Sequence, residues 1–334
     1  MIDLLLGGSP CQGFSFAGKQ LNFFDPRSKL FFDFVKALEV LKPKYFLLEN
    51  VKMKQEYQDV ISKYLGVEPI EINSALLSEQ NRIRLYWTNI PEIQQPVDKG
   101  ISLSEILEND TYTGPGAMRG RRLNKATILG RRLNADGHRE DYNKDIPITQ
   151  CLEVRETNTN KSNCLTTVDK DNVLTPMPIG RHPDAFKNNL PFRYYTVTEY
   201  CRLQTLPDGY VSSISENQGK KCIGNAWTAD VIAHILSFIP ETYLHTVVSL
   251  FDGISCGQVA LERAGKIYNQ YYASEIDKDA IAVTQKNYPH TMQLGDVTKI
   301  DWNAFLDRLD LIQKVSLSHF MNKELTYARF NKYF

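Results

Sequence analysis

The stretch TVVSLFDGISCGQVALERAG (residues 246–265) decides the fold. Its first part, Thr246 to Phe251, is a short apolar run of the kind that forms a buried parallel strand. A turn rich in small residues follows, and Gln258 to Ala264 has the composition of a helix that Gly265 caps. A strand, a glycine turn and a helix in this order predict a unit whose turn lets a ligand approach the backbone and the helix N-terminus.

Strands and helices alternate on both sides of this stretch. Apolar runs predict further strands over residues 2–6, 45–48, 84–88, 271–276 and 292–295. Helical spacing of apolar residues predicts helices over 30–41, 56–65, 228–239 and 279–287. This alternation predicts an α/β fold with a doubly wound, mostly parallel sheet, whose ligands bind at the carboxyl ends of the strands.

Three successive strand ends carry residues suited to a nucleoside cofactor. The first is the turn from Phe251 to Gly257. Glu275 lies 22 residues after Gly253, a spacing at which a carboxylate can accept hydrogen bonds from ribose hydroxyls. Asp296, after the next strand, is placed to face an adenine edge. The turn lacks the GxGxxG pattern and alone is compatible with an ordinary tight turn, but the three strand ends together predict a cofactor site.

A second group of candidate residues lies in the first 90 residues. Cys11 lies on the glycine-rich loop 7–15, directly after a predicted buried strand. A cysteine in that place is suited to nucleophilic catalysis, although a lone cysteine is more often a buried structural residue. Glu49-Asn50 ends another strand and Gln80-Asn81-Arg82-Ile83-Arg84 begins one; such charges are costly to bury without partners. Together they supply a nucleophile, an acid and two anion-binding groups.

The middle of the chain has a different composition. From about residue 91 to 195 it is rich in Pro, Gly, Asn, Thr and Arg with weak periodicity, which predicts a second, loop-rich domain or a large insertion. Seven Lys or Arg and one Asp lie between Gly114 and Arg139, and the pentapeptide GRRLN occurs at 120–124 and 130–134. Such basic residues suit phosphates and guanine edges. A solvated basic loop and a chance duplication are the alternatives.

The overall composition excludes several classes of protein. With 42% hydrophobic and 23% charged residues among 334, the chain is neither a disordered protein nor a collagen nor a disulfide-stapled miniprotein. Its 39 basic residues balance 39 acidic ones, which argues against a generally basic nucleic-acid-coating protein but not against a local basic cleft. We expect no membrane helix and no signal peptide. The six cysteines contain no CxxC pair, so we expect free thiols in a reducing cytoplasm and no metal site.

Taken together, these motifs make the sequence similar to the DNA cytosine-5 methyltransferase family. The motifs are Pro10-Cys11-Gln12, Glu49-Asn50-Val51, Gln80-x-Arg82-x-Arg84, Thr198-Glu199-x-x-Arg202-Leu203-Gln204-x-x-Pro207, Gly224-Asn225-Ala226-Trp227 and Phe251-Asp252-Gly253. The forms FDGIxxG and NRxRxYW resemble the de novo mammalian branch and its bacterial and phage relatives. The resemblance implies a Rossmann-like methyltransferase fold in which 1–90 and 196–310 form the catalytic domain and 91–195 a target-recognition domain.

The resemblance implies a covalent mechanism, in which a methyl group passes from S-adenosylmethionine to C5 of a flipped-out cytosine in DNA. Cys11 is expected to bond to C6, and Arg84 to lower the pKa of that thiol. Glu49 is expected to hydrogen-bond the exocyclic amine and N3 of the base. Arg82 is expected to contact a phosphate or a base oxygen, and Asn50 to orient the Cys11 loop.

The resemblance also implies a cofactor pocket at the three strand ends. Phe251 is expected to pack on the adenine, Glu275 to hold the ribose and Asp296 to take the adenine amine. Gly253 and Gly257 are expected to admit the methionine end. The other expected cofactor residues are Pro10, Leu30, Asn225, Ala226, Trp227, Asp252, Ile254, Ile276 and Val297.

The partner that the resemblance implies is double-stranded DNA, read through the middle region. The expected DNA contacts are Gln12, Ser15, Arg119, Arg121, Arg122, Arg131 and Arg132. A separately acting restriction endonuclease and the oligomeric state are left open, and the implied location is the cytoplasm of a bacterium or a phage-infected host. Two alternatives remain, a tRNA cytosine-5 methyltransferase on the same fold and an inactive DNA-binding or regulatory homologue.

The order of the motifs differs from that of the family, in which the Phe-x-Gly motif comes first. Here Pro10-Cys11 opens the chain and Phe251-Asp252-Gly253 lies near its end, as in a circular permutation joined at 240–246. Compact folds accept such a rearrangement when the old termini lie close together. Residues 309–312 resemble the strand at 2–5, so the tail 311–334 is a second copy of that strand, an unrelated helix or an assembly scar.

Overall fold

Two β-sheets organise the chain in a computed structural model, which describes residues 2–9, 30–155 and 161–311. The strands are β1 (Leu4–Gly7), β2 (Tyr45–Val51), β3 (Ile70–Asn73), β4 (Ile83–Thr88), β5 (Asn124–Arg132), β6 (Ile148–Val154), β7 (Val173–Thr175), β8 (Gly180–His182), β9 (Arg193–Tyr194), β10 (Tyr243–Leu250), β11 (Ile267–Ser274) and β12 (Met292–Gln293). The helices are α1 (Leu30–Leu41), α2 (Gln55–Leu65), α3 (Leu103–Ile106), α4 (Val197–Leu203), α5 (Glu216–Asn225), α6 (Ala229–Ser237), α7 (Cys256–Arg263), α8 (Lys278–Asn287) and a last helix over 302–311.

The first sheet has seven strands in the order β12-β11-β10-β1-β2-β4-β3. Its five strands from β12 to β2 are parallel, and β4 runs antiparallel to both β2 and β3. From the centre the chain proceeds outward in both directions, through β10, β11 and β12 on one side and through β1 and β2 on the other. This confirms the predicted α/β, doubly wound, mostly parallel sheet, and ligands of such sheets bind beside the central pair of strands where the direction changes.

The central strands are apolar because helices cover both faces of the sheet. All four residues of β1 are buried. Leu5 packs on one face with Phe34 and Trp87, whereas Leu4 and Leu6 pack on the other. Alternate side chains of a strand point to opposite faces, so a continuous apolar run is what this position requires.

Some predicted boundaries differ from the structure. Strand β10 begins at Tyr243 and not at Thr246, so half of the expected joint is itself strand. Its first residues alternate exposed and buried side chains, which obscured the apolar run. Strand β3 was not predicted, because its sequence Ile-Glu-Ile-Asn is short and half polar. Strand β2 ends at Val51, one residue after the predicted end at Glu49-Asn50.

The middle region forms a five-stranded antiparallel sheet in the order β8-β6-β5-β7-β9. Sequence analysis predicted a loop-rich region and missed this sheet. Two of its strands have three residues and one has two, and β5 carries charged or polar residues between its buried ones. Its small core consists of Ala126, Ile128, Leu152, Val154, Val173 and Ala185.

The end of the described chain is helical. Trp302, Phe305 and Leu309 of the last helix are buried against the first sheet. Residues 309–311 therefore do not form a second copy of strand β1, and residues 312–334 lie outside the described part. Within the described ranges, no helix is long and apolar enough to cross a membrane.

Candidate active site

The carboxylate of Glu49 is held by one ion pair and one hydrogen bond near the carboxyl end of β2. Glu49 lies on β2, and the antiparallel register places Arg84 of β4 opposite Val51, two residues away. The Nε atom of Arg84 lies 3.0 Å from Oε1 of Glu49. The indole nitrogen of Trp227 donates to Oε2 at 3.1 Å. With side chains only 12–13% exposed, the Glu49–Arg84 ion pair is shielded from solvent, where charge-assisted contacts are strong.

Asn50 ties this strand to the start of the predicted nucleophile loop. Its side-chain amide donates to the hydroxyl of Ser9 at 3.1 Å and to the carbonyl of Ser9 at 3.3 Å. Its Oδ1 accepts from the amide of Val51 at 2.8 Å, which fixes the orientation of the amide group. Pro10, Cys11, Gln12 and Ser15 lie outside the described residues, so their predicted roles stay predictions.

Arg82 has contacts that sequence analysis did not predict. Its side chain is buried, and its guanidinium donates to the carbonyls of Leu165 at 3.2 Å and Ala226 at 3.0 Å. Arg82 thereby joins β4 to two other segments of the chain, the insertion and the turn after α5. Its predicted contact with a phosphate or a base oxygen stays a prediction.

Cys164 is a site residue that sequence analysis missed. Its sulfur accepts hydrogen bonds from Arg82 and Arg84, and it lies in the middle region, 80 residues after Arg84 in the chain. Burial raises the pKa of the thiol, but the two guanidinium groups outweigh burial and hold the pKa below its usual value. No motif around Cys164 marks it, because the arginines reach it only through tertiary structure.

A buried amide network holds the insertion against the catalytic strands. Gln80 accepts from the amide of Leu165 at 2.7 Å and donates to the carbonyl of Leu203 and to Gln204. Gln204 in turn donates to the carbonyls of Ile223 and Ala226. The Gln-x-Arg-x-Arg and Arg-Leu-Gln motifs therefore act as structural joints in addition to any role in the reaction.

The glycine turn and Glu275 meet at the predicted cofactor site. The amide of Gly253 donates to Oε2 of Glu275 at 2.8 Å, while Oε1 accepts from the amides of Ile276 and Asp277. Gly253 has φ +58°, and a Cβ added there would meet no atom within 4 Å. The turn therefore borders open space beside a fixed carboxylate, which fits the ribose and methionine portions of a nucleoside cofactor.

Asp252 and Asp296 have different environments. Burial raises the pKa of Asp252 to about 6, and the hydroxyl of Tyr271 donates to its Oδ1 at 2.8 Å. Asp296 caps the turn 297–299: hydrogen bonds from Thr298 lower its pKa, and Lys299 lies 3.3 Å away. Asp296 is thus an ionised acceptor at the third strand end, as the expected adenine contact requires.

The expected apolar residues of the cofactor site divide into exposed and buried ones. Ile276 is 72% exposed, which suits a wall that a ligand covers, and Phe251 and Leu30 are half-buried against the core. The side chains of Ile254 and Val297 are buried in the hydrophobic clusters. The cofactor roles of all five residues stay predictions.

The motif Asn225-Ala226-Trp227 lies between the cofactor and base sides of the site. Asn225 is exposed at the end of α5 and Ala226 is buried. A Cβ on Gly8 would lie 2.8 Å from the indole nitrogen of Trp227, and one on Gly257 would lie 3.8 Å from its Cζ3. Trp227 thus packs between the end of β1 and the start of α7.

The five arginines predicted to contact DNA fall into two groups. Arg119, Arg121 and Arg122 are exposed on a hairpin-like loop, in which the amide of Gly120 donates to Tyr112. The side chain of Arg131 is 12% exposed, and its Nε lies 2.7 Å from Glu153. Arg132 donates to the carbonyls of Lys144 and Ile146. The first three are therefore the arginines that present free guanidinium groups at the surface.

Fold and site together define a class of protein, a doubly wound α/β protein with a glycine turn held by a carboxylate at one strand end and a buried acid and arginine pair near another. A family model described as C-5 cytosine-specific DNA methylase matches residues 1–64, 72–241 and 245–314. The chain belongs to the C-5 cytosine-specific DNA methylase family, as the motifs predicted.

Three curated relatives illustrate the similarity. The chain is 29% identical over 253 residues to the Type II methyltransferase M1.ScrFI of Lactococcus lactis subsp. cremoris, covering 67% of this chain and 58% of that protein. It is 30% identical over 254 residues to M.HaeII of Haemophilus aegyptius, covering 70% and 72%. It is 60% identical over 133 residues to M.NgoBV of Neisseria gonorrhoeae, covering 33% and 31%.

Proposed function

We propose that the chain transfers a methyl group from S-adenosylmethionine to C5 of cytosine in double-stranded DNA, at a specific sequence. The observation that carries this proposal is the carboxylate of Glu49, fixed between Arg84 and Trp227 next to the strand that leads into the Pro10-Cys11 loop. Family membership and the Type II methyltransferase names of the relatives support it.

The carbon C5 of cytosine is too weak a nucleophile to attack a methyl group by itself. The enzyme therefore supplies a nucleophile of its own to activate the ring. The Cys11 thiolate adds to C6, and the ring electrons become available at C5, which would take the methyl group from the sulfonium with S-adenosylhomocysteine as the leaving group. Glu49 hydrogen-bonds N3 and the exocyclic amine and stabilises the positive charge that develops on the ring. A base then removes the C5 proton, the C5–C6 double bond re-forms and Cys11 leaves as a thiolate.

Different residues of the proposed cofactor site contact different parts of S-adenosylmethionine. S-adenosylmethionine, when bound, supplies an electrophilic methyl group on a positively charged sulfur. Gly253 leaves room at the turn, Glu275 accepts the ribose hydroxyls and Asp296 accepts the adenine amine. The exposed side chain of Ile276 covers the adenine face. The pairing of Glu275 with the backbone of the turn supports this arrangement, since the carboxylate needs no rearrangement to accept a ribose.

The exposed arginines Arg119, Arg121 and Arg122 contact DNA in this proposal, and the second sheet presents them. The target cytosine leaves the duplex, at a cost of a few kcal/mol, because the carboxylate of Glu49 is buried near the end of a strand. The protein acts where DNA is, in the cytoplasm of a bacterium or phage-infected cell, with any restriction endonuclease as a separate protein.

We also propose that the chain is a circularly permuted member of the family. The sheet order supports this proposal, since numbering the strands from β10 turns β12-β11-β10-β1-β2 into 3-2-1-4-5, the standard order of a doubly wound fold. In this arrangement 1–90 and 196–310 form one catalytic domain and 91–195 the recognition domain.

A methyl-transfer assay tests the function. Purified protein, labelled S-adenosylmethionine and either DNA or tRNA are incubated together, and bisulfite sequencing then locates any modified cytosine in the DNA. We expect label in DNA from the wild type and none from Cys11→Ser. Label only in tRNA would favour the RNA-directed alternative, and label in neither would favour the inactive homologue.

A further inference from the structure

We propose that Trp227 is a positioning residue for the base-binding carboxylate: its indole N–H, donated to Oε2, fixes the orientation in which Glu49 meets the target cytosine. This role goes beyond the expected one of closing the cofactor pocket, and it rests on the proposed function. The 3.1 Å hydrogen bond from Trp227 to Glu49 is the contact that carries the inference.

Arg84 alone does not fix the carboxylate. Only its Nε faces Glu49, because Nη1 donates to the carbonyl of Ile83 and Nη2 points at the sulfur of Cys164. The ion pair is therefore not the two-pronged contact that locks a carboxylate plane. A carboxylate held at one oxygen can rotate about its terminal bond, and a donor on the other oxygen removes that rotation. The indole N–H of Trp227 supplies this hydrogen bond, while Arg84 contributes an ion pair to the other oxygen.

The indole itself is held rigidly. It packs so closely on the backbone of Gly8 that a Cβ there would lie within 2.8 Å of its nitrogen. The carbonyl of Ala226, one residue before, accepts from Arg82 and Gln204, and the hydroxyl of Thr228, one residue after, donates to Gln204. Because the residues before and after Trp227 are both hydrogen-bonded, its indole N–H can hold Glu49 without reorganising during the reaction.

The same ring reaches the cofactor side of the site. Gly257, in the first turn of α7, lies against the ring edge opposite the Glu49 contact, at the helix start that follows the cofactor turn. Trp227 therefore lies between the end of β1 and the start of α7. This placement makes the geometry of Glu49 depend on the packing between β1 and α7.

The test is the substitution Trp227→Phe, which keeps an aromatic ring and removes the N–H. We expect kcat for methyl transfer to fall roughly 10- to 100-fold, the effect of losing a hydrogen bond to a charged group, with DNA affinity unchanged and any loss of S-adenosylhomocysteine affinity too small to account for the fall. Trp87→Phe is the matched control. Trp87 also donates its indole N–H within the protein, to Ser62 at 3.0 Å, but away from the site, so this variant should lose stability and keep kcat.

A second variant keeps the proposal testable if Trp227→Phe does not fold. Gly8→Ala places a methyl group against the indole nitrogen, pushes the ring away from Glu49, and should lower kcat without lowering cofactor affinity. Unchanged kcat in the folded variant, or a fall in cofactor affinity that accounts for the whole loss, would overturn the inference. An inactive wild type would instead overturn the proposed function, so the two failures are distinguishable.

Discussion

The sulfur of Cys164 lies 3.4 Å from Nη1 of Arg82 and 3.7 Å from Nη2 of Arg84, so a cysteine from the middle region accepts hydrogen bonds from both arginines of β4. The guanidinium groups outweigh burial and lower the pKa of this thiol. A depressed pKa adds stability that is complete above the unfolded-state value of about 8.5 and is lost as the pH falls through the folded-state value.

The stability of the wild type relative to Cys164→Ser should therefore rise with pH. Urea unfolding of both proteins between about pH 7 and about pH 9.5 measures the difference. Cys201→Ser is the control, because burial raises the pKa of Cys201 to about 11. Because the pKa of Cys201 is raised, the wild type should lose stability relative to Cys201→Ser as the pH rises above about 8.5. If the stability difference between wild type and variant changed with pH in the same direction for Cys164→Ser and Cys201→Ser, the lowered pKa of Cys164 would be contradicted.

Asn50 should control the nucleophile loop through Ser9. Asn50→Asp keeps the shape of the side chain but removes the donor to the hydroxyl and carbonyl of Ser9. We expect kcat to fall roughly tenfold, the effect of losing a hydrogen bond, with DNA affinity unchanged. Single-turnover kinetics and DNA-binding titrations measure the two quantities.

Asn89 provides the matched control for Asn50. Its amide also bridges the main chain, since it donates to the carbonyl of Lys44 and accepts from the amide of Phe46 at the other end of β2. Asn89→Asp should lose stability and retain full methyl transfer. An equal loss of kcat in both variants would mean that Asn50 acts only through the stability of the sheet.

The exposed arginines should carry the salt dependence of DNA binding. Removal of Arg119, Arg121 or Arg122 should weaken binding and lower the slope of log K against log salt by about 1 for each phosphate that is no longer neutralised. Arg131→Ala should instead lower the free energy of unfolding, because it leaves the buried Glu153 with weaker partners. Fluorescence anisotropy at several salt concentrations separates the outcomes. An unchanged slope in all three surface variants would exclude this loop from the interface.

Alanine substitutions at Gly253 and Gly265 should separate an effect on cofactor binding from an effect of backbone strain. Gly253 and Gly265 have φ values of +58° and +67°, and a Cβ at either would meet no protein atom within 4 Å. Gly→Ala at each should cost about 1–2 kcal/mol of stability through the left-handed backbone. Only Gly253→Ala should also weaken S-adenosylhomocysteine binding in calorimetry, since its Cβ would enter the proposed cofactor space. Equal affinities in the two variants would remove the turn from the cofactor site.

The parts of the site that were predictable from sequence are those fixed by strand ends. Glu275 and Gly253 were predicted to act at one site because parallel strands bring their carboxyl ends to one edge of the sheet. In the structure the amide of Gly253 donates to Oε2 of Glu275 at 2.8 Å. Cys164 and the Trp227–Glu49 hydrogen bond were not predictable, because each joins segments that only tertiary packing brings together.

The repeated pentapeptide GRRLN also shows that the environment of a residue in the middle region depends on tertiary contacts. Arg121 and Arg122 of the first copy are exposed, whereas Arg131 of the second pairs with Glu153 on the neighbouring strand β6. Identical local sequence therefore has two environments, and the difference comes from a partner 22 residues away. The sheet that supplies this partner was missed because three of its five strands have only two or three residues and the nine-residue strand β5 carries polar residues between its buried ones.

The position of β1 has a consequence for synthesis on the ribosome. β1 pairs with β10 through Leu4 and Val247, which are 243 residues apart in the chain. At 5–20 residues per second, β1 waits roughly 10–50 s for this neighbour to be translated. During that interval an apolar strand has one unpaired edge, a template for contacts between nascent chains. The strands that carry Glu49 and Arg84 are thus translated before β10, and faster translation shortens the time for which the edge of β1 is unpaired.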